Sequence, residues 1–408
     1  MIELETADTK ERLWTKDFLI VFGVNFLLFL CFYLLVVIIP SYAIDEFHVS
    51  DGIAALGSSI FVIGALIGRI AAGRLMESVG RRRMLFTGLI FFTILSLGYF
   101  FISSITTLLI IRFFHGLAFA LASTATGTIS ASLIPHSRRG EGTGYYGVSI
   151  IVASAIGPFL GVLISNNSSV TGNFILCAVL AVFSLFAGLF LNVPKLTLTA
   201  EQKSEMKGFK ISNFFEPKAI PISITILFMG LAYSSILSYL KLYAGQINLT
   251  EVVSFFFIVY AVVVILTRPF TGKWFDKHGV NFVMYPAIIC FIIAMILLSQ
   301  VHSGLILLLS AVFVGLGYGT TQASAQAYAV KKSPVHRMGL ATSTFYIFLD
   351  LGIGVGPFLL GFLTPFIGYR GMYMVMAGLL VVSFFVYYVM VGRKEKAEAQ
   401  DHTLKVLN

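Results

Sequence analysis

Acidic side chains avoid the interior of the long apolar stretches of this 408-residue sequence, with one exception: Asp350 lies in the middle of such a stretch. A carboxylate in hydrocarbon is either protonated or paired, because burying the ionised form without a partner is costly. This chemistry suggests that Asp350 carries a proton or balances the charge of a cationic substrate. A structural ion pair with Arg112 or Lys241 is the alternative.

Arg112 and His115 lie in another apolar stretch, three residues apart and therefore on nearly the same face of a helix. An arginine in hydrocarbon should face water or a partner. Histidine can change its charge near neutral pH. We interpret the two residues, with Asp350, as a proton-coupling site. The alternatives are that Arg112 reaches the outer lipid headgroups and that His115 packs helices together.

The composition places these residues in a membrane. The chain is 58% hydrophobic and 12% charged, with a mean hydropathy of +0.92, whereas soluble domains carry roughly 25% charged residues. Apolar runs long enough to cross about 30 Å of hydrocarbon recur throughout. They predict an all-α membrane protein with twelve transmembrane helices near 17–42, 52–73, 84–103, 106–133, 142–165, 172–192, 217–243, 251–272, 281–301, 304–330, 338–365 and 370–392.

The twelve helices divide into two halves. We place an N-terminal half at 1–192, a cytoplasmic linker at 193–216, a C-terminal half at 217–392 and a cytoplasmic tail at 393–408. Sequence marks recur between the halves at an offset of 199 residues, from Gly73 to Gly272 (272 − 73 = 199). Parallel repeats of this kind imply a pseudo-twofold axis along the membrane normal, with a central cavity between the halves.

The clearest repeat is the basic stretch Arg69–Arg83, RIAAGRLMESVGRRR, with a second copy at Arg268–Gly279, RPFTGKWFDKHG. We expect Glu77, with nearby cations, to form a latch between helix ends, because a carboxylate near a helix N-terminus is stabilised by the helix dipole. Asp276 occupies the same place in the second copy. The alternative is a basic anchor with no further role.

Most of the 28 lysines and arginines fall in connections on one side of the predicted bundle. Basic loops stay in the cytoplasm, so we expect a multi-pass plasma-membrane protein with both termini cytoplasmic. The net charge of +9 therefore indicates topology, and we expect no nucleic-acid partner. No enzyme motif, phosphate-binding loop or metal spacing is present, which excludes ATP-driven pumping and predicts no metal and no cofactor.

These motifs resemble those of the major facilitator superfamily, and specifically its multidrug efflux branch of drug:proton antiporters. Gly73–Arg83 resembles the loop signature between helices 2 and 3, although Ser78 stands where the family usually has a basic residue. Arg112 and Gly116 resemble the fourth-helix motif linked to proton coupling. Gly157-Pro158-Phe159-Leu160-Gly161 resembles the antiporter motif, although Val162 replaces a frequent glycine. The implied conformational residues are Gly73, Glu77, Gly80, Arg81, Gly157, Pro158, Gly161, Gly272, Asp276, Gly356 and Pro357.

The resemblance also implies that helices 1, 4, 7 and 10 line the cavity. Polar groups in lipid must be satisfied, so those on these helices should face inward. With one residue added from the face of Asp350, the candidate cavity residues are Asn25, Tyr33, Tyr233, Tyr239, Gln322, Gln326 and Tyr346.

The first hypothesis is therefore a secondary transporter that exports small amphipathic or cationic compounds by alternating access, coupled to protons. Its expected partners are the small-molecule substrate, protons and the lipid bilayer, and we expect a monomer. The alternative is a nutrient or organic-anion carrier of narrow specificity, with Arg112 and His115 as the anion site. A third possibility is a lipid-handling or sensory membrane protein that moves no soluble solute.

Overall fold

The computed structural model describes residues 12–167, 169–194, 199, 201–202 and 210–397. Over these residues the chain forms twelve long helices joined mostly by short connections. They are α1 Lys16–Phe47, α2 Asp51–Val79, α3 Arg81–Gly98, α4 Ile105–Leu133, α5 Arg139–Asn167, α6 Val170–Leu189, α7 Ile220–Gln246, α8 Thr250–His278, α9 Val280–Ser299, α10 Gly304–Lys332, α11 338–367 and α12 369–387.

The last two helices form one continuous hydrogen-bonded run, Met338–Tyr387, with a break at Gly368. Gly368 has a φ of 65°, a left-handed conformation that favours glycine. The described part of the chain therefore contains eleven uninterrupted apolar stretches long enough to cross a membrane, and the last of them, Val335–Ala397, holds two spans. The predicted all-α fold with twelve transmembrane helices is confirmed.

Local sequence accounts for several helix ends. The hydroxyls of Thr15 and Ser104 cap α1 and α4 by accepting from backbone N–H groups three residues later, each over 3.2 Å. Gly80 and Gly279 end α2 and α8 with φ values of 99° and 82°. The matching turns follow from the repeated motif, because both positions require a conformation that glycine adopts easily.

Each half has its own hydrophobic core. One core gathers residues from Val21 to Leu191, and the other runs from Ala219 to Val391 with Ile151 as its one member from α5. Within α10, a π-helical turn at Gly315–Gly319 interrupts the regular α-helix, a feature often found at functional sites.

The antiporter-like motif and its repeat bring equivalent helices together inside each half. A Cβ atom at Gly157 would lie 2.7 Å from the Cβ of Tyr33, so α5 packs closely on α1. A Cβ atom at Gly356 would lie 1.9 Å from the Oγ of Ser234, so α11 packs closely on α7. Side chains larger than glycine would push these helices apart.

The two halves meet along two seams, α2 against α11 and α5 against α8. The connections α2–α3, α4–α5, α8–α9 and α10–α11 lie together at one end of the bundle, which we call the basic end. Much of the predicted linker and the end of the predicted tail lie outside the described residues. The last part of the linker packs on the basic end, where Phe214 lies 4.6 Å beneath the Arg74 guanidinium and Glu216 pairs with Arg337.

Candidate functional site

Asp350 pairs with Arg69, which belongs to the other half. Arg69 Nε donates to Asp350 Oδ2 over 2.5 Å. Arg69 is 1% exposed, whereas the Asp350 side chain is 21% exposed. At 1.5 Å per residue, the pair lies roughly 15–18 Å from the basic ends of α2 and α11, near the middle of a bilayer. The partner of Asp350 is therefore not Arg112 or Lys241, the two cations considered for a structural pair.

Two neighbouring helices, α4 and α11, hold Arg69. Its Nη1 lies 3.4 Å from both the Ser123 and Thr124 hydroxyls of α4, and its Cζ lies 4.4 Å from the ring centroid of Tyr346. The Ser343 hydroxyl of α11 donates to the Arg69 carbonyl over 2.6 Å. Arg69 is thus kept in place by contacts that do not depend on the charge of Asp350.

A hydrogen-bond network extends from this pair toward the basic end. Gln326 Nε2 donates to the Tyr346 hydroxyl over 3.2 Å. The Tyr146 hydroxyl interacts with Tyr346 and donates to Thr126 Oγ1 over 3.0 Å. Gln322, one turn before Gln326, is half-buried. The predicted cavity residues Gln326 and Tyr346 therefore lie in one polar network that crosses between the halves.

Asn25 and Tyr239 form their direct hydrogen bonds within one half, and Thr126 connects Asn25 to the network of Tyr146. Asn25 is fully buried, where it donates to Ser149 Oγ over 2.8 Å and accepts from Thr126 Oγ1 over 3.0 Å. The Tyr239 hydroxyl donates to the carbonyl of Pro357 over 2.7 Å. Both polar groups are satisfied by neighbouring helices, as membrane burial requires.

Four tyrosines cluster beside the Arg69–Asp350 pair. The rings of Tyr233 and Tyr318 stack at 3.9 Å and 9°, and Tyr260 lies 6.0 Å from Tyr233. Tyr33, from the other half, is close enough to interact electrostatically with both Tyr260 and Asp350. We call Tyr33, Tyr233, Tyr260 and Tyr318 the tyrosine cluster. It offers flat aromatic faces and phenolic hydroxyls at the centre of the bundle.

Arg112 and His115 form a separate cluster inside the N-terminal half. Arg112 donates to a carbonyl of α2 over 2.8 Å and to the Tyr99 hydroxyl over 3.3 Å. The two ring nitrogens of His115 lie 3.0 Å from the Tyr99 hydroxyl and 3.2 Å from the Ser96 hydroxyl. Arg112 is fully buried, so it does not reach the lipid headgroups. Among the described residues, no hydrogen bond or ion pair joins this cluster to Asp350.

At the basic end, Glu77 reaches across to the C-terminal half. Its carboxylate accepts from the Gly339 backbone N–H over 3.3 Å at the start of α11. Arg81 donates to the same carboxylate over 2.8 Å and to the Val335 carbonyl over 3.1 Å. Glu77 thus caps a helix of the opposite half, and Arg81 completes the contact.

Asp276 makes the matching contact in the opposite direction. Its two carboxylate oxygens accept from the backbone N–H groups of Gly140, over 2.7 Å, and Glu141, over 3.0 Å, at the start of α5. Gly140 and Gly339 differ by the same 199 residues as Glu77 and Asp276. Two symmetry-related carboxylates therefore each cap a helix of the other half, an arrangement stabilised by the helix dipole.

Gly73 and Gly272 allow these contacts to form. A Cβ atom at Gly73 would lie 2.5 Å from the side chain of Ser343, and one at Gly272 would lie 2.5 Å from the Cα of Glu141. Helices of opposite halves could not approach this closely with larger residues at these positions.

Comparison with known proteins identifies the family. The family model of the Major Facilitator Superfamily matches residues 21–357 and 250–405. The chain belongs to the major facilitator superfamily. It is a multi-pass membrane carrier rather than an enzyme.

Curated relatives in this superfamily include transporters of several kinds. The chain is 26% identical over 343 residues to an uncharacterised MFS-type transporter of Methanocaldococcus jannaschii, covering 82% of this chain and 87% of the relative. It is 24% identical to the multidrug resistance protein MdtG of Escherichia coli, covering 90% and 92%. It is 23% identical to the staphylopine export protein of Staphylococcus aureus, covering 79% and 83%.

Solved structures share the fold. The human organic anion transporter MFSD10 superposes with a TM-score of 0.70 at 17% identity, covering 91% of this chain and 98% of that one. A variant of the fucose:proton symporter FucP of Escherichia coli superposes with a TM-score of 0.75 at 16% identity, covering 93% and 99%. At these identities the likeness concerns the fold alone.

Sequence reasoning did not place Arg69, Tyr260 or Tyr318 in the site. A signal existed for Arg69, because it opens the repeated motif and lies within a predicted span, where an arginine requires a partner. Tyr260 and Tyr318 carry no such signal, since tyrosines are frequent in this chain and only the packing of α8 and α10 brings these two together.

Proposed function

We propose that this member of the superfamily is a proton-coupled exporter of small amphipathic compounds that works by alternating access. The observation that carries the proposal is the Arg69–Asp350 ion pair, which joins the two halves at mid-depth. The names of two relatives, the multidrug resistance protein MdtG and the staphylopine export protein, support export.

Protonation of Asp350 would change the strength of the α2–α11 seam. The ionised carboxylate attracts Arg69, whereas the neutral acid does not, and losing one partner of a buried ion pair is costly. Because Ser123 and Thr124 of its own half also hold Arg69, it stays on that half when the pair separates. A proton therefore weakens the seam and favours movement of one half against the other.

The carboxylate latches of Glu77 and Asp276 would control whether the basic end of the bundle opens. Both are formed in this structure, so the basic end is held shut. By the distribution of lysine and arginine we assign this end, with both termini, to the cytoplasm. Release of both latches is then required before the substrate site opens to the cytoplasm.

The charge of the substrate follows from the same residues. A purely cationic substrate would have to displace Arg69 from Asp350, the sole carboxylate in the interior of a predicted span. A second candidate function, an organic-anion carrier, is supported by another buried arginine, Arg268.

Transport in everted membrane vesicles tests the proposal. A pH gradient should drive accumulation of labelled compounds by the wild type and not by Asp350→Asn, with Glu251→Gln as a control acid at the opposite end of the bundle. Equal gradient-driven accumulation by Asp350→Asn would contradict the proposal.

A further inference from the structure

Arg268 is the counterpart of Arg69 in the second half, 199 residues later in the repeated motif. It lies on α8 and is 2% exposed. A Cβ atom at Gly147 would lie 3.4 Å from its Nη2, and one at Gly144 would lie 3.4 Å from its Cδ. The side chain is therefore pressed against the backbone of α5, in the seam between the halves.

The two arginines differ in what faces them. The position that corresponds to Asp350, 199 residues earlier, is Ile151, which is buried on α5. Within the described part of the chain, no carboxylate lies within 4.0 Å of Arg268, and its Nε has no hydrogen-bond partner. Asp350 thus neutralises Arg69 in one seam. In the other seam, the equivalent Arg268 is buried with no carboxylate within ion-pair distance among the described residues.

The Arg268 side chain extends toward the centre of the bundle. Side chains on a helix lean toward its N-terminus, which for Arg268 is the direction of Tyr260, two turns earlier. Arg268 and Tyr260 interact electrostatically, and Tyr260 belongs to the tyrosine cluster. Tyr260 is the member of the tyrosine cluster on the same helix as Arg268, and the guanidinium extends toward it.

We infer that Arg268 binds the anionic group of the substrate and that the substrate is a small aromatic carboxylate. A guanidinium buried without a partner is costly, and a carboxylate matches its planar set of N–H donors. The tyrosine cluster supplies flat faces for an aromatic body. This inference rests on the proposed transport function, because α5 covers Arg268 here and must move away from α8 to admit the ligand.

Arg112, another buried arginine with an unpaired nitrogen, is a weaker candidate for this role. Its Nε and Nη1 already donate to a backbone carbonyl and to the Tyr99 hydroxyl. It also lies within one half, so movement of the halves against each other does not uncover it. Arg268 lies in a seam that such movement opens.

The test measures thermal unfolding of the full-length protein in nanodiscs with three probes that share one aromatic body: naphthoate, naphthamide and naphthylmethylammonium. We expect naphthoate alone to raise the unfolding temperature of the wild type. In Arg268→Gln its affinity should fall about thirtyfold or more, the usual effect of removing one partner of a buried charge pair.

A second pair of variants tests the same claim without removing the arginine. In Ile151→Asp, the new carboxylate should occupy the guanidinium and prevent naphthoate binding. In Ile151→Asn, which has a similar size and no charge, binding should persist. Equal stabilisation by the amide, no stabilisation by naphthoate, or unchanged naphthoate binding in Ile151→Asp would each overturn the inference.

The measurement uses no pH gradient, so it is independent of proton coupling. Wild-type protein that binds naphthoate without gradient-driven transport would retain the carboxylate site and rule out proton coupling. Failure of the carboxylate site with coupling intact, and failure of coupling with the site intact, are therefore distinguishable.

Discussion

The Arg69 guanidinium and the Asp350 carboxylate come from opposite halves of the chain and meet with Nε and Oδ2 2.5 Å apart. Rigid-body movement of one half against the other along α2 and α11 must change this distance. A single proton on the carboxylate changes the strength of the same contact. The pair therefore links a chemical event to the relative position of the halves.

Removing either partner should destabilise the protein. We expect Arg69→Gln and Asp350→Asn each to lower the free energy of unfolding by about 2–3 kcal/mol. This is at or below the usual cost for a fully buried pair, because the Asp350 side chain is 21% exposed. The double variant should cost less than the sum, since it leaves no unpaired charge. Denaturant unfolding in mixed micelles measures all three, and additive costs would show that the pair contributes no coupling energy.

The carboxylate latches predict a shift in the equilibrium between states. Each of Glu77→Gln and Asp276→Asn should weaken closure of the basic end by about 1 kcal/mol, the usual contribution of a charged helix cap. The combined variant should open this end further. Pulsed electron–electron double resonance measures the distance between spin labels at the exposed residues Ser78 and Lys394. This distance should be longer in the combined variant than in the wild type. Unchanged distances in the combined variant would rule out a latch function.

Sequence reasoning predicted the twelve-helix fold because it follows from strong physical constraints. Apolar length, the basic loops and the repeat at 199 residues each depend on local composition or spacing. The same patterns placed Asp350 in the interior and predicted that it is either protonated or paired. They did not identify Arg69 as that partner, because the choice depends on how α2 and α11 pack, which no local pattern contains.

The tightly packed glycines provide a prediction about packing. Gly157→Ala should destabilise the protein by about 1–3 kcal/mol, because its Cβ would lie 2.7 Å from Tyr33. Gly378 has no atom within 4 Å of an added Cβ, so Gly378→Ala should be neutral or slightly stabilising through helix propensity. Thermal unfolding of both variants tests this, and an equal loss would mean that the α1–α5 contact is not tight.

His115 offers a test of its predicted role in proton coupling. Both ring nitrogens are engaged by Tyr99 and Ser96, and glutamine also offers one donor and one acceptor group. We therefore expect His115→Gln to keep most of the gradient-driven transport. Loss of coupling, with normal unfolding temperature, would instead place the imidazole on the proton path.

Proton movement itself gives the most direct test of whether substrate transport is coupled to protons through Asp350. Purified protein would be placed in liposomes loaded with a pH-sensitive dye, and cationic dyes and aromatic carboxylates would be added in turn without an imposed gradient. In the wild type, at least one substrate should move protons across the membrane in proportion to its own movement. In Asp350→Asn the substrate should still exchange across the membrane while proton movement is lost. Substrate-dependent proton movement of equal size in Asp350→Asn would contradict the account.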